Sequence, residues 1–187
     1  MVQPAPVVVA VAQGEALAGQ KPGSLTGAAM DESAKRAVLR MFTYGLHVVT
    51  VRDEEDENAF TANWLTQVSF DPPMMGISVE NDSHSIGLIR RTGIFTVNVL
   101  ASGQRELAGL LGKRWENMPD KLAQVAHRPG PNGCAVLDDA LALLECEVAA
   151  SIPAGDSTVF VARVVGAEVQ REGPPLTMAE SGFRHAG

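Results

Sequence analysis

Residues 157–172, STVFVARVVGAEVQRE, limit the fold more than any other stretch of the chain. Successive side chains on a strand face opposite sides of a sheet. Here apolar residues occupy both faces at first and only one later, as in a barrel strand whose far end reaches solvent. A second long strand, ALALLECEVAASIP (140–153), comes just before it, separated only by Ala154, Gly155 and Asp156. Upstream, HVVTV (47–51), AFTANWL (59–65), MMGISVE (74–80) and IFTVNVL (94–100) also read as strands, the last with Phe95, Val97 and Val99 on one face. The acidic run RDEEDEN (52–58) is a solvated hairpin turn. These segments predict six strands.

Helical signals are few. Asp31 is a plausible N-cap for a helix carrying Ala34, Ala37, Val38, Met41 and Phe42, ended by Gly45. Two short helices are expected over 85–91 and 102–111, with Ser102 capping the second. A loop-rich excursion is expected over 112–133. No strand–helix–strand alternation occurs, which favours a mostly β antiparallel barrel over a doubly wound sheet. Residues 1–30 lack any period and read as a flexible arm before one domain over 31–187. The arm's VVVAVA run (7–12) has no positive flank, since the first lysine is Lys21, and it is too short to span a bilayer. A cytoplasmic protein is therefore expected.

A formal net charge of −7 argues against nucleic-acid and polybasic membrane surfaces, which need clustered Lys and Arg. Cys134 and Cys146 lack metal-ligand spacing and are expected as buried free thiols. The four histidines fall in no HxxxH or HExxH pattern, and no GxSxG elbow, Walker loop or Rossmann glycine pattern is present. Side chains so placed supply little for covalent or metal catalysis. An enzyme of this kind would take its chemistry from a cofactor.

The stretch TANWLTQVSFDPPMMGISVENDSHS (61–85) suits that role. Thr61, Asn63, Thr66 and Ser69 surround Trp64, and hydroxyls and amides of this sort can meet the polar edge of a heteroaromatic ring. Asn81, Ser83, His84 and Ser85 stand just ahead of a helix, whose N-terminus is a natural phosphate seat. The same residues could equally be strand ends and a cap with no ligand.

The ordered pattern "YGLHVVTV … NAFTANWLTQVSFDPPMMGISVENDSHSIGLIRRTGIFTVNVL … LLECEV … GDSTVFVARVVGAEV" closely resembles the flavin reductase-like family of FMN-binding split-barrel proteins, over roughly residues 36–187. The resemblance implies a six-stranded Greek-key split barrel with a few short helices, paired as a homodimer with flavin near the interface. FMN is the implied flavin and FAD the second candidate, with NADH or NADPH as co-substrate. Thr61, Ala62, Asn63, Trp64, Thr66 and Ser69 would line the isoalloxazine ring. Ser78 would approach the ribityl chain or phosphate, and Ser83, His84 and Ser85 would hold the phosphate. Electrons or reduced flavin would pass to a redox partner or monooxygenase.

Two departures stand out. Relatives often read Gly-Asp-His where this chain has Gly155, Asp156 and Ser157, and some carry histidine where Ile86 stands. Both changes weaken the expectation of efficient pyridine-nucleotide oxidation, leaving an FMN-binding electron carrier as an alternative and a flavin-free interaction module as a third. Trp115 reads as a loop anchor, Cys146 as core and His47 as structural. His185 reads either as a residue reaching the flavin pocket or as part of a mobile tail.

Overall fold

The structure, a computed structural model, describes residues 30–185; the predicted arm falls almost wholly outside them. Among the described residues nine strands are formed: β1 (His47–Arg52), β2 (Glu57–Ala62), β3 (Leu65–Phe70), β4 (Pro73–Glu80), β5 (Ile94–Val99), β6 (His127–Pro129), β7 (Ala135–Leu137), β8 (Ala142–Ala154) and β9 (Ser157–Val169). Seven make one antiparallel sheet in the order β2-β1-β5-β8-β9-β4-β3, and β6 and β7 form a separate hairpin.

Connectivity rolls this sheet up. Strands β2 and β3 lie at its opposite edges, yet only Asn63 and Trp64 separate them. Two residues reach about 3.5 Å each, so the two edges must meet. A backbone bond from Ser78 N–H to the Trp64 carbonyl (3.0 Å) ties the seam. The expected six strands are thus seven. Pairing with β1 ends at Ala62 and pairing with β4 begins at Leu65, so residues 65–70 are a strand in their own right. β3 was hidden by its character as a bulged edge strand: its register shifts between Gln67 and Ser69, and no residue in it is buried. With neither face committed to a core, its alternation carries no signal.

Inside the roll, Val49, Val51, Ile77, Phe95, Phe160 and Ala162 form the main core. Helix α2 (His84–Thr92) closes one opening with buried Ile86, Leu88 and Ile89, and ends at Gly93, whose φ of 68° suits glycine. The outer faces of β1 and β5 are also covered. Thr50 Oγ1 donates to the Ala135 carbonyl (2.6 Å), and Asn98 Oδ1 accepts from Leu137 N–H (2.8 Å), so buried polar residues peg the β6–β7 hairpin to the barrel. Helix α3 (Arg105–Leu111) and α4 (Met178–Ser181) pack with Leu46, Leu100, Leu122 and Leu176 in a second core. Cys134 and Cys146 are free and buried, and burial pushes their thiols up to about 11 and about 12.

Helix α1 (Glu32–Leu39) starts as expected, with Asp31 accepting from Ser33 and Ala34 N–H, but it stops at Arg40, five residues before Gly45. It buries nothing; Val38, Met41 and Phe42 are exposed, as are Val68, Phe70 (90%) and Val169 elsewhere on the surface. No helix among the described residues is long and apolar enough to cross a membrane.

Candidate functional site

The barrel seam opens onto a cleft of about 460 Å³, within the ~300–1,000 Å³ typical of cofactor pockets. One end is built by the start of α2. Ser83, its N-cap, makes no side-chain capping bond, and its N–H donates to the Glu80 carbonyl. The first N–H groups of a helix have no partner inside it, so those of His84 and Ser85 carry the partial positive charge of the helix end. His84 is clamped beside them: its Nε2 lies 2.6 Å from Asp56 Oδ2, and its ring stacks on Trp115 at 4.1 Å with a 9° tilt. Trp115 thus anchors its loop, as the sequence suggests, and does so inside the cleft.

Cations gather at this end. Lys113 and Arg114 line the cleft, and Arg114 donates to Asp82 Oδ2 (2.5 Å). That bond raises the Arg114 pKa and holds the Asp82 carboxyl below its usual range. Beneath them Lys121 is only 2% exposed. Its ammonium donates to the Lys113 carbonyl, and burial pulls its pKa down to about 8 against a smaller opposing pull from Glu116. Lysine is rarely buried this fully without a carboxylate partner. An anion bound at this end would offset that buried charge.

The other end is built by the seam. Thr61, Ala62, Asn63 and Trp64 all line the cleft, as does Ser78. Thr61 Oγ1 donates to the Ala108 carbonyl (2.7 Å), fixing β2 to α3. Asn63 Nδ2 donates to the His185 carbonyl (3.2 Å), and the Trp64 ring lies 5.1 Å from that of His185. Asn58 lines the floor; its Nδ2 donates to Ser85 Oγ (2.9 Å), while its Oδ1 is buried with no partner.

Among the predicted residues, the cleft therefore gathers Thr61, Ala62, Asn63, Trp64, Ser78, Ser83 and His84. Ser85 lies outside it, fully buried behind Asn58. Thr66 and Ser69 lie on β3 beyond the seam and do not line it. Ser157 is also outside: it is 3% exposed, donates to Asp156 Oδ1 (3.0 Å) and pairs across the sheet with Glu80, which does line the cleft. Ile86 is core, so its identity answers to packing. His47, read as structural, is half-buried, and desolvation lowers its pKa.

Asn58, Glu80, Lys113, Arg114 and Lys121 were not picked out from the sequence. Only Lys121 left a trace there, as a lysine running straight into Leu122 and Ala123. No cluster of three metal-ligating side chains occurs among the described residues.

The donor set fits a flavin mononucleotide. A helix start with an uncommitted hydroxyl and three nearby cations suits a phosphate. The unpartnered Asn58 carbonyl suits a ligand hydroxyl or N–H, and the apolar wall with Trp64 suits a flat ring.

A family model described as the flavin reductase like domain matches residues 39–187. An NADH-dependent flavin reductase from Rhodococcus is 36% identical over 152 residues, 80% of this chain and 83% of its own. The reductase component of a 4-hydroxyphenylacetate 3-monooxygenase from Thermus thermophilus is 31% identical over 83% of this chain and 96% of its own. Longer relatives also match: the chain spans 46% of one from Rhizobium meliloti and 25% of a diflavin flavoprotein from Synechocystis. The solved flavin reductase component of a bacterial two-component tryptophan halogenase superposes with a TM-score of 0.72 at 33% identity, covering 83% of this chain and 98% of its own.

Proposed function

The chain belongs to the flavin reductase like family, and on that footing we propose that it is an FMN-dependent reductase that oxidises NADH or NADPH and hands electrons or reduced flavin to a partner. The observation that carries the reading is the convergence, on one cleft, of a helix start with cations at one end and the Trp64 seam at the other. A single phosphate seat favours FMN over FAD. Bound flavin supplies a ring that accepts a hydride from a dihydronicotinamide and later releases both electrons.

The protein's own groups bind and orient. The His84 N–H, the Ser83 hydroxyl and Lys121 would hold the phosphate; Asn58 Oδ1 would accept from a ligand hydroxyl or N–H; Trp64 and the seam backbone would bear on the ring. Asp56 and Trp115 keep His84, and so the first turn of α2, in register. The partner we propose is a flavin-dependent monooxygenase or halogenase, by analogy with the relatives that serve such enzymes.

The carrier reading, in which another protein reduces the flavin, draws on Ser157, whose hydroxyl is tied to Asp156 and carries no charge. Oxidation of NADH and NADPH by the purified protein with added FMN or FAD separates the two. Brisk turnover supports the reductase, and FMN binding without turnover supports the carrier.

A homodimer accompanies this reading. Apolar side chains of α1, β3 and β9, among them Val38, Val68, Phe70 and Val169, are exposed, and the edge strand β3 pairs with β4 alone. Sedimentation at micromolar concentration is expected to give twice the 19.7 kDa chain mass. A monomer that binds FMN would refute it.

A further inference from the structure

The segment Phe183–His185 crosses the ring end of the cleft, and its two halves are held very differently. Its root is fixed. Arg105 donates to the Ser181 carbonyl (2.5 Å) and lies over the Phe183 ring at 5.2 Å, while Phe183 N–H donates to Ser181 Oγ (3.1 Å). Phe183 itself packs on the second core, and Gly182, at φ 68°, makes the turn out of α4.

Its tip rests on three separable contacts, all to the walls of the ring end. Asn63 Nδ2 reaches the His185 carbonyl, the His185 ring tilts by 45° over Trp64, and His185 Nε2 lies 3.7 Å from Glu80 Oε1. The first two walls come from the β2–β3 junction and the third from the end of β4. The His185 and Glu80 side chains are both about half exposed, at 54% and 49%, so the imidazole sits at the mouth with the cleft beneath it.

From this placement, and resting on the flavin reading above, we infer that Arg184–His185 is a strap that closes over the ring of bound flavin, with His185 the positioning residue that latches it to Glu80 and Trp64. The imidazole and indole centroids are 5.1 Å apart, too close to admit a flat ring between them, so a ring in the cleft lies beside the pair and meets the imidazole at its edge. Because each latch contact is weak alone, the strap opens for entry and release. It therefore controls how long flavin stays more than how fast it arrives.

Two measurements test this. Arg184 is exposed, so trypsin cleavage after it, followed by intact mass, reports strap opening in the wild-type protein. FMN at saturating concentration is expected to slow that cleavage; unchanged or faster cleavage in protein shown by flavin fluorescence to be loaded would overturn the strap. In stopped-flow binding of FMN, His185→Ala is expected to raise the dissociation rate by about tenfold and Glu80→Gln by about threefold, both with the association rate unchanged. The double variant should be no worse than His185→Ala alone. Unaltered dissociation in His185→Ala, or a loss confined to association, would overturn the proposal. A wild-type protein that binds no FMN at all would overturn the functional reading beneath it.

Discussion

Replacing Ser83 by aspartate is expected to leave the protein folded and to abolish FMN binding. Ser83 is the N-cap of α2 and lines the cleft, and its hydroxyl makes no capping bond. Aspartate caps helices as well as serine does, and its charge suits the positive end of the helix dipole. The fold therefore has nothing to lose at this position. A bound phosphate does, because the new carboxylate would stand within a few ångströms of a dianion. At the effective dielectric near a protein surface that repulsion is worth about 3 kcal/mol, a loss of more than about a hundredfold in affinity. Ser83→Ala removes only one charge-assisted bond and should cost roughly tenfold. Fluorescence titration of FMN against both variants, with a thermal melt of each, checks this. An aspartate variant that binds FMN as the wild type does would mean that the phosphate sits elsewhere.

Lys121→Met is expected to act in opposite directions on stability and on binding. The buried ammonium of Lys121 has its pKa lowered from 10.5 to about 8 by desolvation. Below pH 8 the amine is protonated in both folded and unfolded chains, and the folded state bears the full cost of burying the charge. Between about 8 and 10.5 the folded state loses its proton before the unfolded one does. The unfolded chain then holds more protons, and stability rises with pH. A displacement of this size corresponds to something on the order of 3 kcal/mol. Methionine fills the same space without a charge, so the flavin-free variant should melt several degrees higher at pH 7 and lose the alkaline rise in stability. Flavin affinity should fall about tenfold or more, because the buried cation facing the cleft is gone. A variant that melts lower and binds FMN normally would make Lys121 a purely structural residue.

The contrast between these two positions shows how far local sequence can reveal a site. Ser83 and His84 announce themselves locally: a polar cluster ahead of an amphipathic helix is a pattern within a few residues, and α2 begins at His84. The strands β1, β2, β4, β5, β8 and β9 were legible for the same reason, each committing at least one face to a core. β3 was not, because as a bulged edge it buries nothing. Lys121, Asn58 and Glu80 become site residues only through the rolling of the sheet, which brings β2, β4 and the 112–125 excursion around one opening. Their chemistry is set by burial, which no short window records. Ser85 shows the reverse case: the cluster reading placed it on the ligand, yet the first turn of the helix carries it behind Asn58, fully buried. His185, left open between pocket and free tail, stands at the cleft mouth because Asn63 and Trp64 at the seam give it a place to rest.

The most direct test of the proposed reductase is anaerobic mixing of the FMN-loaded protein with NADH, and separately with NADPH, while following the absorbance of oxidised flavin. One of the two nucleotides is expected to bleach the flavin within a single turnover. The rate should saturate with nucleotide concentration, and under the same conditions Ser83→Asp protein should show no bound flavin to reduce. A wild-type protein that holds FMN in this cleft and keeps it oxidised at saturating concentrations of both nucleotides would contradict a reductase function.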